Sequence, residues 1–235
     1  MTVDGTGFRP LQPGTQPAND TPAYGSTRLR HPTRKPVRIP HSVTEATGPV
    51  LSPAHFPPMP DLSTVTGAPA MGERIIIRGR VMDEDGRPIP NTIVEIWQAN
   101  AAGRYDHPGD THDAPLDPHF HGEGRVFTDA DGWYQFATIK PGAYPWGNHD
   151  NAWRPNHIHY SLFGTGFGQR LITQMYFPGD PLLPLDPIFL ATPDAAARDR
   201  LIARFDLATT RPGWALGYRF DFVLRGRNAT PMENR

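Results

Sequence analysis

The chain has 235 residues, 37% of them hydrophobic, with 23 Lys+Arg set against 24 Asp+Glu. This is enough apolar chain for one substantial core with an extension, and near-balanced charge without a long basic run predicts no nucleic-acid footprint and points to a small-molecule or protein partner. No cysteine is present, so disulfides, thiolate metal sites and a cysteine nucleophile are excluded together, and any metal must be held by nitrogen and oxygen.

The amino terminus, Met1-Thr-Val-Asp-Gly-Thr-Gly7, has no apolar leader, and the longest aliphatic run is Ile75-Ile76-Ile77. A soluble cytoplasmic protein without membrane association is the simplest reading. Residues 1–72 form a proline-rich arm: 13 of the 28 prolines fall within the first 70 residues, with no sustained helical or strand period. Phe8, Leu11, Tyr24, Leu29 and Phe56 give it more apolar anchors than a solvated linker has, so it is expected to wrap over the core or over a partner chain.

From residue 73 to 235 the pattern is that of a β domain. Residues 75–81 are rich in β-branched side chains, the turn Asp83-Glu-Asp-Gly86 follows, and 92–97 alternates Ile93, Glu95 and Trp97 against Val94 and Ile96. A second such unit follows: 124–128, the turn Asp129-Ala-Asp-Gly132, and 133–138. Both turns read Asp-x-Asp-Gly, the opening of a calcium loop, but the twelfth positions are Val94 and Lys140 where a closing Glu is required, so calcium is not expected. Further strands are expected at 157–163, 170–177 and 217–224. One helix is expected, capped by Thr192, with Pro193 and Asp194 in its first turn and the run 195–205 behind them. Short strands with Gly/Pro turns and one late helix describe an all-β fold, an antiparallel β-sandwich.

Within that fold the segment Arg154-Pro-Asn-His-Ile-His159 stands out. On a strand, His157 and His159 share a face, roughly 6 to 7 Å apart along the chain, and can hold one ion. Pro155 biases Arg154 toward extended backbone and delivers a permanent charge beside them. His119-Phe-His121 has the same spacing but lies between Asp117-Pro118 and Gly122, a loop context in which alternation is not enforced. The neighbouring carboxylate, Asp150, has no strand to aim it, whereas Tyr105 and Tyr144 sit at loop tips flanked by Gly or Pro, where a large aromatic has no core to fill. A lone tyrosine is ordinarily half-buried packing; two of them beside a His-x-His motif weaken that reading.

Trp97-Gln-Ala-Asn100, Gly103-Arg-Tyr105, Thr138-Ile-Lys-Pro-Gly-Ala-Tyr-Pro145 and Arg154-Pro-Asn-His-Ile-His159 resemble the intradiol ring-cleavage dioxygenases, most of all the branch whose catalytic β chain acts on protocatechuate. The resemblance runs from about Tyr24 to about Leu224. It implies a non-haem Fe(III) held by Tyr105, Tyr144, His157 and His159, with hydroxide or water as a fifth ligand. Hard phenolate oxygen suits a ferric ion, and two phenolates with one hydroxide offset its three charges. It further implies cleavage of the catechol protocatechuate by O2 to 3-carboxy-cis,cis-muconate, with Tyr144 as the ligand that leaves on substrate binding and Tyr105 as the one that stays. By the same resemblance Arg154 lies over the substrate ring, Gln174 sits beside it, Trp146 walls the pocket, Tyr24 meets the substrate carboxylate, and a homologous α chain completes a larger hetero-oligomer. Three alternatives stand beside this reading. A catechol or hydroxyquinol 1,2-dioxygenase would carry a helical N-terminal domain in place of the proline-rich arm. A noncatalytic β-sandwich partner chain would lack the full ligand set. A zinc or ferrous enzyme using the two histidines with a carboxylate would leave both tyrosines unexplained.

Overall fold

The computed structural model describes residues 12–34, 37, 51–147, 153–164 and 170–233. Eleven strands form: β1 (Arg74–Met82), β2 (Ile93–Trp97), β3 (Glu123–Phe127), β4 (Trp133–Ile139), β5 (Tyr144–Pro145), β6 (Trp153–Arg154), β7 (His157–Phe163), β8 (Leu171–Tyr176), β9 (Arg204–Phe205), β10 (Leu216–Arg219) and β11 (Phe222–Val223). One sheet has β1 at its centre, with β4 antiparallel on one side and β10 and β11 in parallel register on the other, and β9 outside β10. The second is antiparallel throughout, in the order β3-β2-β7-β8. Their inner faces share one apolar cluster, to which β1 gives Ile75, Ile77 and Val81, β4 gives Tyr134 and Phe136, and β7 gives Ile158, Tyr160 and Leu162. This is a β-sandwich, and it places His157, His159 and Ser161 on the face of β7 opposite the shared core.

The two Asp-x-Asp-Gly turns each carry the chain from one sheet to the other, since β1 pairs with β4 and not with β2. Their first carboxylates are used inside the turn. Asp83 Oδ1 accepts the amides of Asp85 and Arg87, and Asp129 Oδ1 those of Asp131 and Trp133, which gives these aspartates a turn-building role.

Three expectations need correction. The strand read at 217–224 is two strands, because the carboxylate of Asp221 takes the Arg80 amide where a backbone carbonyl would continue the ladder. The late helix is only Ala195–Asp199; Asp194, not Thr192, caps it through the Ala197 amide, and the chain beyond is drawn back to the sheets by Tyr176 bonding to Leu201 and Ala203. Short helices also form at Thr27–Arg30 and Pro187–Leu190, the second capped by Asp186 and started by Pro187, an Asp-Pro start signal visible in the sequence.

The described parts of the N-terminal stretch lie against the sandwich. Met59 and Leu62 donate amides to Arg125 and Ala137, and Leu62 is fully buried. Of its apolar anchors Tyr24 is buried while Leu29 and Phe56 are exposed, and Phe8 and Leu11 fall outside the described residues. Among the described residues no helix is long and apolar enough to cross a membrane.

Candidate metal centre

The register of the second sheet builds one wall of the site. Trp97, His159 and Gln174 are lateral neighbours across β2, β7 and β8, and His157 faces Tyr176. Trp97 stacks flat on His159, with ring centres 4.9 Å apart and planes 6° from parallel. The other wall is two loops in close contact. After β2, the Asn100 side chain accepts the amides of Ala102 and Arg104, and its backbone carbonyl takes the Gly142 amide from the loop after β4. A side chain at Gly103 would sit 2.1 Å from the Ala143 carbonyl, and one at Gly142 would sit 2.4 Å from that of Ala101. Only glycine at both positions lets the loops touch, and the contact brings Tyr105 and Tyr144 edge to face at 5.5 Å. Tyr144 lies on the β5–β6 ribbon opposite Arg154, which enters β7 three residues later.

The four side chains named from the sequence therefore converge. His157 Nε2 lies 3.2 Å from His159 Nε2 and 3.3 Å from Tyr144 Oη. The Pro155 carbonyl accepts a hydrogen bond from His157 Nδ1 at 2.7 Å, and the Glu233 carboxylate accepts one from His159 Nδ1 at 3.3 Å. With both Nδ1 atoms occupied as donors, both Nε2 atoms present lone pairs to the same point. Tyr105 Oη is buried and has no well-aligned hydrogen-bond partner, its nearest polar company being Tyr144. Converging imidazole lone pairs with an orphaned phenol oxygen and a second phenol fit a hard trivalent cation, and Tyr rather than carboxylate completes the set. Among the described residues no group of three or more His, Asp and Glu side chains could hold a metal. Asp150 lies outside the described residues. His119 bonds to Thr66 and His121 to Asp106, apart from the four.

Electrostatics agree with a site built for a cation. Burial raises the Tyr105 phenol well above its ordinary pKa, helped by Tyr144, and burial also raises Tyr144, with the Arg154 charge opposing. Burial, then Arg154 and His159, holds His157 well below the usual imidazole range. Burial opposes ionisation of Glu233, but its bond to His159 and the charges of His159 and Arg154 hold it at about 2. Burial thus favours the neutral form of both phenols in the metal-free chain. If the two phenols hold a ferric ion, its uptake releases one proton from each, so binding strengthens as pH rises and weakens on acidification; an iron titration in weak buffer in which the Tyr105→Phe chain releases as many protons per ion as the parent contradicts this.

Arg154 is 2% exposed and its partner Asp186 is fully buried. Nε and Nη2 reach the two Asp186 oxygens at 3.1 and 3.2 Å, and Nη2 also donates to Gln174 Oε1. The surface ion pair that is the ordinary setting for an arginine is therefore absent; this pair is interior. Gln174 Oε1 accepts as well from the Tyr176 hydroxyl at 3.0 Å, and its buried Nε2 has no well-aligned partner, its polar company being the Glu233 carboxylate. The Trp146 ring lies 5.4 Å from the Arg154 guanidinium and 5.1 Å from the Tyr24 ring, and the Arg30 guanidinium covers Tyr24 at 4.6 Å. A cavity of about 990 Å³ opens here, lined by Tyr105, Tyr144, Trp146, Trp97 and Trp153 among others. Asp186, Tyr176 and Glu233 were not singled out from sequence. Asp186 had a signal, the Asp-Pro helix start, while the other two had none.

A family model described as Dioxygenase matches residues 47–226, and one described as Protocatechuate 3,4-dioxygenase beta subunit N terminal matches residues 9–42. The chain belongs to the intradiol dioxygenases. This intradiol dioxygenase is 60% identical over 222 residues to the protocatechuate 3,4-dioxygenase beta chain of Burkholderia cepacia, across 93% of this chain and 94% of the other. It is 29% identical to the hydroxyquinol 1,2-dioxygenase of Rhizobium sp. (strain MTP-10005), across 80% of this chain and 66% of that one. Among solved structures, the dioxygenase domain of a dioxygenase carbohydrate-binding protein fusion from Streptomyces sp. SirexAA-E matches with a TM-score of 0.52 at 30% identity, covering 75% of this chain and 92% of that one. The 3-chlorocatechol 1,2-dioxygenase of Rhodococcus opacus 1CP matches at 0.53 and 25%, covering 79% and 68%. As an intradiol dioxygenase the protein is an oxidoreductase of aromatic catabolism, from an iron-dependent family.

Proposed function

We propose that this chain is the catalytic β chain of an enzyme that cleaves protocatechuate with O2 to 3-carboxy-cis,cis-muconate, and that Tyr105, Tyr144, His157 and His159 hold its Fe(III). The observation that carries the reading is the meeting of two imidazole Nε2 atoms and two phenols at one buried point, with one phenol oxygen left without a partner. When bound, the ferric ion supplies a Lewis acid that activates a chelated catechol toward dioxygen.

The residues around that point have separate tasks. His157 and His159 hold the ion, each fixed in one tautomer by the acceptor behind it. Tyr144, on a two-residue strand and bonded to His157, is the phenol that yields its place and takes a substrate hydroxyl proton, while Tyr105 remains. Arg154, locked by Asp186 and Gln174, keeps a fixed positive charge beside the ring carbon where electron density grows. Trp146 walls the pocket and carries Tyr24 against it, so the arm brings a hydroxyl to the substrate's carboxylate. A homologous α chain as partner is supported by the 60% identical relative being a beta chain.

Substrate choice is tested by oxygen uptake. Tyr24→Phe is expected to raise KM for protocatechuate about ten- to a hundredfold, the value of one hydrogen bond to a charged group, and to leave catechol unaffected. Equal effects on both substrates contradict recognition of the carboxylate by Tyr24.

A further inference from the structure

The two histidines are not oriented in the same way. His157 is fixed by a backbone carbonyl two residues before it, whereas the carboxylate behind His159 arrives from residue 233, 74 positions along the chain. A tail held so far from its target must itself be placed.

Three segments place it. Thr230 and Val223 exchange bonds, the Val223 carbonyl taking the Thr230 amide and Thr230 Oγ1 the Val223 amide. On β8, Thr173 Oγ1 donates to the Pro231 carbonyl and the Ile172 carbonyl accepts the Glu233 amide. From the N-terminal stretch, Gln16 brackets the tail on both sides of Pro231: its Nε2 donates to the Thr230 carbonyl at 3.2 Å, and its Oε1 accepts the Met232 amide at 2.8 Å. Glu233 and His159 side chains are each 12% exposed, so the pair is largely removed from water, where such a bond is worth more than on a surface.

We infer that Glu233 is the positioning residue of His159, fixing the tautomer and ring angle that aim Nε2 into the metal site, and that Gln16 holds it there. The inference rests on the assignment of His159 as an iron ligand. A carboxylate on the far nitrogen of a metal-bound imidazole also makes the near nitrogen a stronger donor, so Glu233 tunes the metal as well as locating its ligand. The arm and the C-terminal tail thereby close on the site together.

The test uses the full chain loaded with Fe(III), following iron loss to a chelator and the position of the visible tyrosinate-to-iron band, with melting of the iron-free chain alongside. Glu233→Ala is expected to lose iron about ten- to a hundredfold faster and to shift the band. Glu233→Gln, whose amide oxygen still accepts the Nδ1–H, is expected to fall between it and the parent. Gln16→Ala is expected to move in the same direction by less, and Glu73→Gln, at a surface pair with Lys140, not at all. Lowered melting with unchanged iron loss and an unmoved band in both Glu233 variants would make Glu233 a tail anchor only and overturn the proposal, and a parent-like Gln16→Ala overturns the bracket. His159→Ala separates the two levels. If it keeps iron and colour, the ligand assignment fails; if it loses them while Glu233→Ala behaves as the parent, only the positioning role fails.

Discussion

Arg154→Ala is expected to destabilise the protein by about 3–5 kcal/mol, the cost of removing one partner from a buried ion pair. Asp186 has no exposure, and apart from Arg154 its side chain has the Ile188 amide at the start of a four-residue helix. Without the guanidinium a buried carboxylate stands uncompensated, and Gln174 Oε1 loses one of its two donors. Against a total stability of about 5–15 kcal/mol for a typical domain this is a large fraction, readable as a drop in the urea midpoint. Asp186→Asn placed on Arg154→Ala is expected to recover part of it, because the unpaired charge is gone. Arg154→Lys keeps the charge but not the two-pronged fit, so it is expected to keep more stability than alanine while still losing turnover. The folded fraction of Arg154→Ala is expected to keep its iron and colour. An alanine variant with the parent's midpoint contradicts the interior pairing.

Tyr105→Phe is expected to move two quantities in opposite directions. In the iron-free chain the hydroxyl is a buried polar group with no aligned partner, and such a group costs about 1–3 kcal/mol. Its removal should leave the iron-free protein as stable as before or more so. In the loaded enzyme the same oxygen is an anionic ligand, and its loss should exceed the roughly ten- to hundredfold effect of disturbing a partner behind a ligand, in both iron retention and turnover. Melting of the iron-free variant, compared with chelator challenge of the loaded one, reads both arms. A variant that loses stability without iron, yet holds iron normally, would make Tyr105 an ordinary packing residue.

The site was legible from sequence where local geometry is enough. Alternation on one strand puts His157 and His159 on a common face whatever lies around them, and β7 begins at His157 as expected. Gly103 and Gly142 stand beside the two tyrosines in the motifs that carry them, and it is these glycines that let the loops touch. What could not be read is what depends on distant chain meeting: Asp186 for Arg154, Glu233 for His159, Gln16 for the tail. None of these lies in a periodic segment, and each is recognisable only after the sheets fix its neighbour. The sandwich followed from strand patterning, but pairing did not. The two Asp-x-Asp-Gly units read as similar units of strand, turn and strand, and only the register shows that each crosses between sheets. At 217–224 hydrophobic patterning continues through Asp221, whose side chain interrupts the ladder that patterning implies.

The proposed mechanism stands on two phenolates and two imidazoles holding one ferric ion. Metal analysis and the visible spectrum of the purified active protein decide whether they do. About one iron per chain is expected, with a broad red-brown absorption that fades as iron is removed and returns, with activity, when Fe(III) is restored. A colourless preparation that turns over protocatechuate with O2, or one whose activity follows zinc, would contradict it.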